Sequence, residues 1–289
     1  MIHLFALLSL LLCGVCYTGF QNSSHFHNTS NRRSLLLLVF GGALLLRLLL
    51  AYTTHGFSND IACFAAWADR IFTLGPGQFY SAEMFTDYPP GFMYVLYLIG
   101  ALRSLLQIPY YSDLHILLLK SPAILCDIAC GFLLYREAVK RLHFSDLQGI
   151  FAASAYLFQP AVILNSSCWG QVDSVYTLMI ILMCLFLMKG NLLPAYAVYG
   201  LGVLLKPQML IFTPVLLAGI WDHVFLQDFS WRKFFYNLCG GLVVICGMLL
   251  LCAPFGLTAA ISQYTSTLGS YEYAAINAYN FWGLLGMNW

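Results

Sequence analysis

Four short stretches of this chain set chemically capable side chains among apolar neighbours. GFSNDIACFAAWADR at 56–70 carries Asp60, and TDYPPG at 86–91 carries Asp87 and Tyr88. NSSCWGQVDS at 165–174 carries Trp169, Gln171 and Asp173, and LLKPQM at 204–209 carries Lys206 and Gln208. A carboxylate beside hydrocarbon loses part of its water and becomes a stronger base, suited to taking a proton from an alcohol. A lysine between apolar runs must reach the interface or pair with an anion, such as a lipid phosphate. A tryptophan beside Gln and Asp makes an aromatic platform with hydrogen-bonding neighbours, as sugar sites do.

Each of these residues also has a plain structural reading. Asp60 follows Ser58 and Asn59 and precedes a stretch in which Ile61, Phe64, Ala65 and Ala68 share a helical face, so it reads equally as a helix cap. Asp87 before Pro89-Pro90 reads as the cap of a helix over 91–106. Lys206 can snorkel, and Trp169 can belong to an interfacial aromatic belt. Within 114–135, Lys120 and Asp127 lie on one helix face; they can neutralise partners inside a bundle, and Lys120 can also reach a phosphate.

The elements that must position these groups are apolar helices. Of 289 residues, 61% are hydrophobic and only 9% are charged, against about 25% charged in an ordinary soluble domain. The expectation is an all-α, multi-pass integral membrane protein with one membrane-embedded domain over 1–289. Apolar runs cover 1–20, 34–53, 91–106, 114–135, 147–164, 174–189, 192–205, 208–221 and 234–254. Residues 1–20 read as a first helix or an uncleaved signal, since they lack a basic start and a clean cleavage site. Pro194, Pro207 and Pro214 are expected to break or kink the two short runs that hold them.

Sidedness follows from the few positive charges. Arg32 and Arg33, then Arg136, Lys140 and Arg141, then Lys189, and finally Arg232 and Lys233 flank four of the runs. All four groups fall on the cytoplasmic side only if 91–106 does not cross. That run begins after a proline pair and contains Arg103, which fits a helix lying at the interface. About eight transmembrane helices result, with a large first external loop over 54–113 carrying interfacial helices, a second over 165–173, and the start of a further one over 255–289. Asp60, 86–91, 165–174 and 204–209 then meet at one external face.

Composition also narrows the partners. A net charge of +1 says nothing in itself about a nucleic-acid or anionic partner, and what matters is where the few charges fall; no nucleic-acid partner is expected. Most of the ten cysteines sit inside apolar runs without clustered histidines, so they read as small buried hydrophobes and not as metal ligands. Asn-X-Ser/Thr tripeptides occur at Asn22, Asn28 and Asn165, a pattern too common to fix the host.

The ordered series GFSNDIACFAAWADRIF, FTDYPPG, LLLKSPAILCDIACGFLLY, YLFQPAVILNSSCWGQVDSVYTLMIILM and LLKPQMLIFTPVLL resembles the GT-C superfamily of polytopic glycosyltransferases. It is most similar to bacterial mannosyltransferase-like proteins related to the second mannosyltransferase of GPI-anchor assembly. Dolichyl-phosphate-glucose enzymes and protein O-mannosyltransferases are more distant. The resemblance covers about residues 45 to 289. It implies Asp60 as catalytic base, Pro89 and Pro90 opening a membrane-surface helix, Trp169, Gln171 and Asp173 in the second external loop, and Lys206 with Gln208 against the carrier phosphate. It further implies a polyprenyl- or dolichyl-phosphate sugar as donor, a hydroxyl-bearing glycan, lipid or protein as acceptor, inversion at the anomeric carbon, and neither cofactor nor required metal. Two departures stand out. Ile61 follows the base where several relatives have Glu or Tyr, and relatives commonly continue through further helices, which reads this chain as a C-terminally truncated member.

The expected function is therefore transfer of a mannose-like hexose on the extracytoplasmic side of a bacterial plasma membrane, or of the endoplasmic reticulum in a eukaryotic host. Asp87, Tyr88, Lys120, Trp169, Gln171, Asp173, Lys206 and Gln208 are the expected substrate contacts. A transporter or lipid flippase, or a non-catalytic truncated membrane subunit, are the competing readings; intramembrane charges can line a substrate route, but here the polar motifs gather at one face.

Overall fold

In the computed structural model, which describes residues 14, 17–18, 32–81, 85–227, 229–269 and 281–287, the elements are helices and none of the described residues forms a strand. In chain order they are α1 (Arg32–Thr53), α2 (Ser58–Leu74), α3 (Pro90–Leu105), α4 (Asp113–Lys140), α5 (Asp146–Leu157), α6 (Pro160–Trp169), α7 (Asp173–Met188), α8 (Leu192–Leu205), α9 (Pro207–Leu226), α10 (Trp231–Phe255), α11 (Leu257–Gly269) and α12 (Phe281–Leu284). Most of the expected first helix over 1–20, and all of 270–280, lie outside the described residues.

Among the described residues, α1, α4, α9 and α10 are long and apolar enough to cross a membrane, and the bent pair α5–α6 makes a fifth. The expectation of about eight also counted residues 1–20, α7 and α8. The last two have 16 and 14 residues, below the roughly 20 that span a bilayer unaided.

Local sequence explains where the helices start and break. Ser112 caps α4 by accepting from the His115 N–H, and Ser145 with Gln148 forms a capping box at α5. Gln159-Pro160 interrupts the next apolar run, because a residue before proline avoids the helical region; α6 leaves α5 at 51°. The helix then continues through a π turn to Trp169. The expected external loop over 165–173 is thus mostly helical and shrinks to the turn Gly170–Gln171–Val172. Pro207 ends the helical path at Lys206 and opens α9 in a 3₁₀ turn, as its ring requires.

One fully buried pair of opposite charges lies inside the bundle. Arg47 of α1 and Asp127 of α4, both without solvent exposure, meet at 3.1 Å. Asp127 also accepts from Tyr156 of α5, Ser166 of α6 and Ser174 of α7. One carboxylate thereby joins five helices, which accounts for its place in an apolar run.

Residues 54–113, expected as a loop with interfacial helices, fold into a hairpin of α2 on α3. Ile61, Phe64, Trp67 and Ile71 pack against Phe92, Met93 and Leu96, and Arg103 pairs with Asp69 across the crossing. The hairpin docks on α8 where Gly91 meets Leu204. A Cβ there would lie 2.5 Å from the Leu204 carbonyl oxygen, so only glycine lets the two backbones approach.

The two ends of the bundle differ in charge. At one end Arg32 reaches Asp146 at 3.2 Å, Arg141 donates to the Met188 carbonyl, and Lys189 lies 3.9 Å from Glu137. Lys189 and Lys233 share a cavity wall there. The ends of α1, α8 and α10 and the start of α7 converge at the other, where the singled-out motifs lie.

Candidate functional site

The chain reaches the site through a turn that fixes the acid. After α1 the backbone passes Gly56 at φ +81°, where a Cβ would lie 2.8 Å from the Trp169 carbonyl oxygen, and the Phe57 N–H then donates to that oxygen at 2.9 Å. The helix α2 begins at Ser58, with Phe57 in the capping position and no side-chain cap. Asp60 is the third residue of the helix and caps nothing. The reason is that its carboxylate is taken by the opposite loop: Trp169 Nε1 donates to Oδ2 at 3.0 Å and Gln171 Nε2 at 2.5 Å. Among the described residues no group bonds Oδ1. Two donors on one oxygen fit the acceptor-only carboxylate form and leave the second oxygen to receive a proton.

Asp60 lines a cavity of about 550 Å³ together with Cys63, Asp87, Tyr88, Gln171, Lys206 and Gln208. Asp87 is not the expected cap: α3 starts at Pro90, and the capping position is held by Pro89, whose side chain carries no acceptor. Its segment is instead tied down through the backbone. Trp67 Nε1 donates to the Phe85 carbonyl at 3.0 Å, Tyr80 to that of Tyr88 at 3.0 Å, and Gln263 of α11 to that of Thr86. Burial, more than the neighbouring Tyr264 and Cys252, pushes the Tyr80 hydroxyl well above its usual value of 10.0, so it serves as a neutral donor. Burial, then the Asp87 and Asp60 carboxylates, push the Cys63 thiol up from 9.0.

Lys206 ends α8 and turns into the cavity. It forms an ion pair with Asp173, which also accepts from Asn165 at 2.9 Å, and its ammonium lies 5.9 Å from the Tyr88 ring centre and 5.4 Å from that of Tyr176. The aromatic faces hold the cation in place. Trp169 and Asp173 thus stand behind the wall, each bonded to a residue that lines it. Beside Lys206, Leu210 and Ile211 form an apolar rim, and Ile211 is 74% exposed.

Lys120 sits elsewhere. Expected among the substrate contacts, it is fully buried and donates to the carbonyls of Ala51, Thr54 and Ser167 and to the Thr54 hydroxyl, at 2.7–3.2 Å. Four acceptors exceed its three N–H bonds. Its role here is to join the end of α1 to α6 and so hold Asp60 and Trp169 in register.

No protein-family model matches the chain, and no curated protein is similar to it.

The sequence reading missed α11. Residues 255–289 were expected to begin a loop, yet α11 closes the cavity, with Thr267 in its wall and Gln263 on Thr86. The Gln, Thr and Ser residues of ISQYTST are the available signal, a polar face on a helix next to apolar chain. Cys63 and Trp67 were also missed; they share the turn-by-turn face of Asp60 and Phe64. Among the described residues no three His, Cys, Asp or Glu groups converge as a metal site.

Proposed function

We propose that the chain is a multi-pass membrane glycosyltransferase of the GT-C kind, moving a mannose-like hexose from a polyprenyl- or dolichyl-phosphate carrier to a hydroxyl acceptor on the extracytoplasmic side. The observation that carries this reading is one cavity that joins a carboxylate with one oxygen unbonded among the described residues, an ammonium near two aromatic rings, and an apolar rim. The helices α1, α4, α5–α6, α9 and α10 cross the bilayer, and α7 and α8 complete the bundle to about eight spans with the N-terminal segment. The basic end faces the cytoplasm, which leaves the cavity outside.

In this reading the acceptor hydroxyl gives its proton to Asp60 Oδ1 as its oxygen attacks the anomeric carbon. The bond from that carbon to the phosphate oxygen breaks on the opposite face, and its electron pair leaves with the lipid phosphate. The sugar is inverted. Lys206 stabilises the charge that grows on the departing phosphate, exchanging part of its pairing with Asp173 for the new anion. The carrier's isoprenoid tail lies along Leu210 and Ile211. Trp169 and Gln171 keep the carboxylate aimed, and Asp87 and Tyr88 contact the sugar or the acceptor.

Incubating the purified chain with radiolabelled polyprenyl-phosphate mannose and hydroxyl acceptors tests the reading. Transfer supports it; movement of the labelled lipid across vesicles without transfer would favour a flippase, and neither result would favour a non-catalytic subunit. Asparagine at position 60 keeps an acceptor for Trp169 and Gln171 but cannot take a proton. Asp60→Asn is therefore expected to fold normally and to lower transfer by about 10²–10⁴-fold; transfer near the wild-type rate removes Asp60 as the base.

A further inference from the structure

Lys206 stands at a helix end that its own segment leaves short of a donor. In a continuing helix the Val203 carbonyl would accept from the N–H of residue 207, but that residue is Pro207, which has none. The last bond of α8 runs from the Lys206 N–H to the Gly202 carbonyl at 2.9 Å, and the backbone at Lys206 is extended, as a residue before proline prefers. The missing donor comes from 61 residues further on, where the Tyr264 hydroxyl of α11 bonds the Val203 carbonyl. Burial, then Cys252, holds that hydroxyl well above its usual value of 10.0, so it keeps its proton.

The same helix grips the opposite wall of the cavity. Gln263, next to Tyr264 in sequence, donates to the Thr86 carbonyl and accepts from the Thr86 hydroxyl at 3.4 Å, and Thr267 donates to the Asp87 carbonyl at 3.4 Å. Gln263 Nε2 also donates to Thr267 Oγ1 at 3.0 Å, which ties the two grips together. Ala260, one turn earlier, is buried with Leu204 and Cys252 and seats α11 on the end of α8. Asp87 and Tyr88 therefore sit on a segment held by Gln263 and Thr267, and Lys206 on a helix end held by Tyr264.

We propose that α11 is a brace across the cavity and that Tyr264 is a positioning residue for Lys206, holding the end of α8 so that the ammonium meets the phosphate of a carrier-linked sugar. The ligand in this statement rests on the sugar-transfer reading above; the brace does not. Among the described residues that line the cavity Tyr264 is absent, so its effect on a ligand passes through Lys206. Asp173 and the rings of Tyr88 and Tyr176 direct the ammonium itself, but none of them bonds the helix end that carries it.

Tyr264→Phe removes one oxygen and leaves the ring in place. The first measurement is amide hydrogen exchange of the detergent-purified full chain without ligand. Exchange at the end of α8, where the Lys206 N–H bonds Gly202, is expected to rise about three- to tenfold, the usual effect of one hydrogen bond, with α4 unchanged. Gln263→Ala cuts the other grip and is expected to raise exchange across α11. The second measurement is native mass spectrometry with polyprenyl-phosphate mannose as the probe. Tyr264→Phe is expected to weaken its binding about three- to tenfold, whereas in a Lys206→Ala background the same substitution should change binding by less than about twofold, because the group it positions is gone. A tyrosine that only stabilised the fold would act equally in both backgrounds, and thermal melting checks that each variant is folded. Unchanged exchange at the end of α8 in Tyr264→Phe, or across α11 in Gln263→Ala, overturns the brace. An equal loss of binding in both backgrounds, or none in Tyr264→Phe alone, overturns the positioning role. A wild-type chain that does not bind the probe overturns the carrier-phosphate reading instead, and the exchange result still decides the brace.

Discussion

Replacing Asp127 by alanine strands Arg47 inside the bundle. Both side chains have no solvent exposure, and their 3.1 Å contact supplies the counter-charge for the guanidinium. The guanidinium has one further bond, from Nη1 to the Ala43 carbonyl at 3.3 Å, while Nη2 is buried with no partner. Leaving one member of such a pair uncompensated costs about 3–5 kcal/mol. Ser166 keeps an alternative acceptor in the Val162 carbonyl at 3.2 Å, so its loss adds little. At about 1.4 kcal/mol per tenfold, the folded-to-unfolded ratio should fall by roughly two to four orders of magnitude. In a detergent melt this corresponds to a drop on the order of 10 °C, using about 2–4 °C per kcal/mol for a chain of this class of size. The double variant Arg47→Met/Asp127→Leu removes both charges and should recover at least half of the loss, because the apolar replacement has no buried ion to leave bare. If Asp127→Ala melts within about 2 °C of wild type, or the double variant is worse than the single by the full additive amount, the argument from buried charge is wrong.

Three further substitutions test how the site is held. Gly91→Ala places a Cβ 2.5 Å from the Leu204 carbonyl oxygen, which should cost about 1–3 kcal/mol by overpacking and lower the melting temperature accordingly; an unchanged melt would mean that α3 and α8 can part freely. Lys120→Met takes the donor away from the Thr54 and Ser167 carbonyls, and amide hydrogen exchange is expected to rise at 54–58 and 165–171 but not in α10. The Cys63 thiol is held above 9.0 by burial and by Asp87 and Asp60, so less thiolate is present at a given pH than for a free cysteine. Maleimide labelling of its peptide, followed by mass spectrometry, should be slow at pH 7.5 and speed up through pH 9; Asp87→Asn lowers the thiol's value again and should accelerate labelling, whereas a slower rate contradicts the assigned charge effect.

Much of the arrangement could be read from residue types because an apolar sequence makes charges conspicuous. Asp60, Asp87, Tyr88, Gln171, Lys206 and Gln208 were singled out for standing among apolar neighbours, and all six line one cavity. The same rule could not rank partners. It proposed Lys120 for a phosphate because a lysine seven residues from an acid on one helix has several possible companions, and only the folded turn at Thr54 and Ser167 brings enough carbonyls to satisfy it. Caps were misassigned for a related reason: Asp60 and Asp87 stand at plausible helix starts, but tertiary bonds to Trp169 and Gln171, and a helix opened by Pro90, override the local preference. Helix α11 escaped notice because its polar face is made of uncharged Ser, Thr and Gln residues, which stand out less than charges do. Its place over the cavity depends on Gln263 reaching Thr86, 177 residues earlier.

Arg47 and Asp127 are separated by 80 residues. At about 5–20 residues per second of synthesis, the arginine is made roughly 4–16 s before the acid that neutralises it exists. During that interval α1, beyond Arg32 and Arg33 at its start, carries one cation in the middle of a greasy rod. Assembly of this protein therefore has a built-in waiting step, in which the Arg47 guanidinium must keep its water or borrow another anion until its distant counterpart arrives.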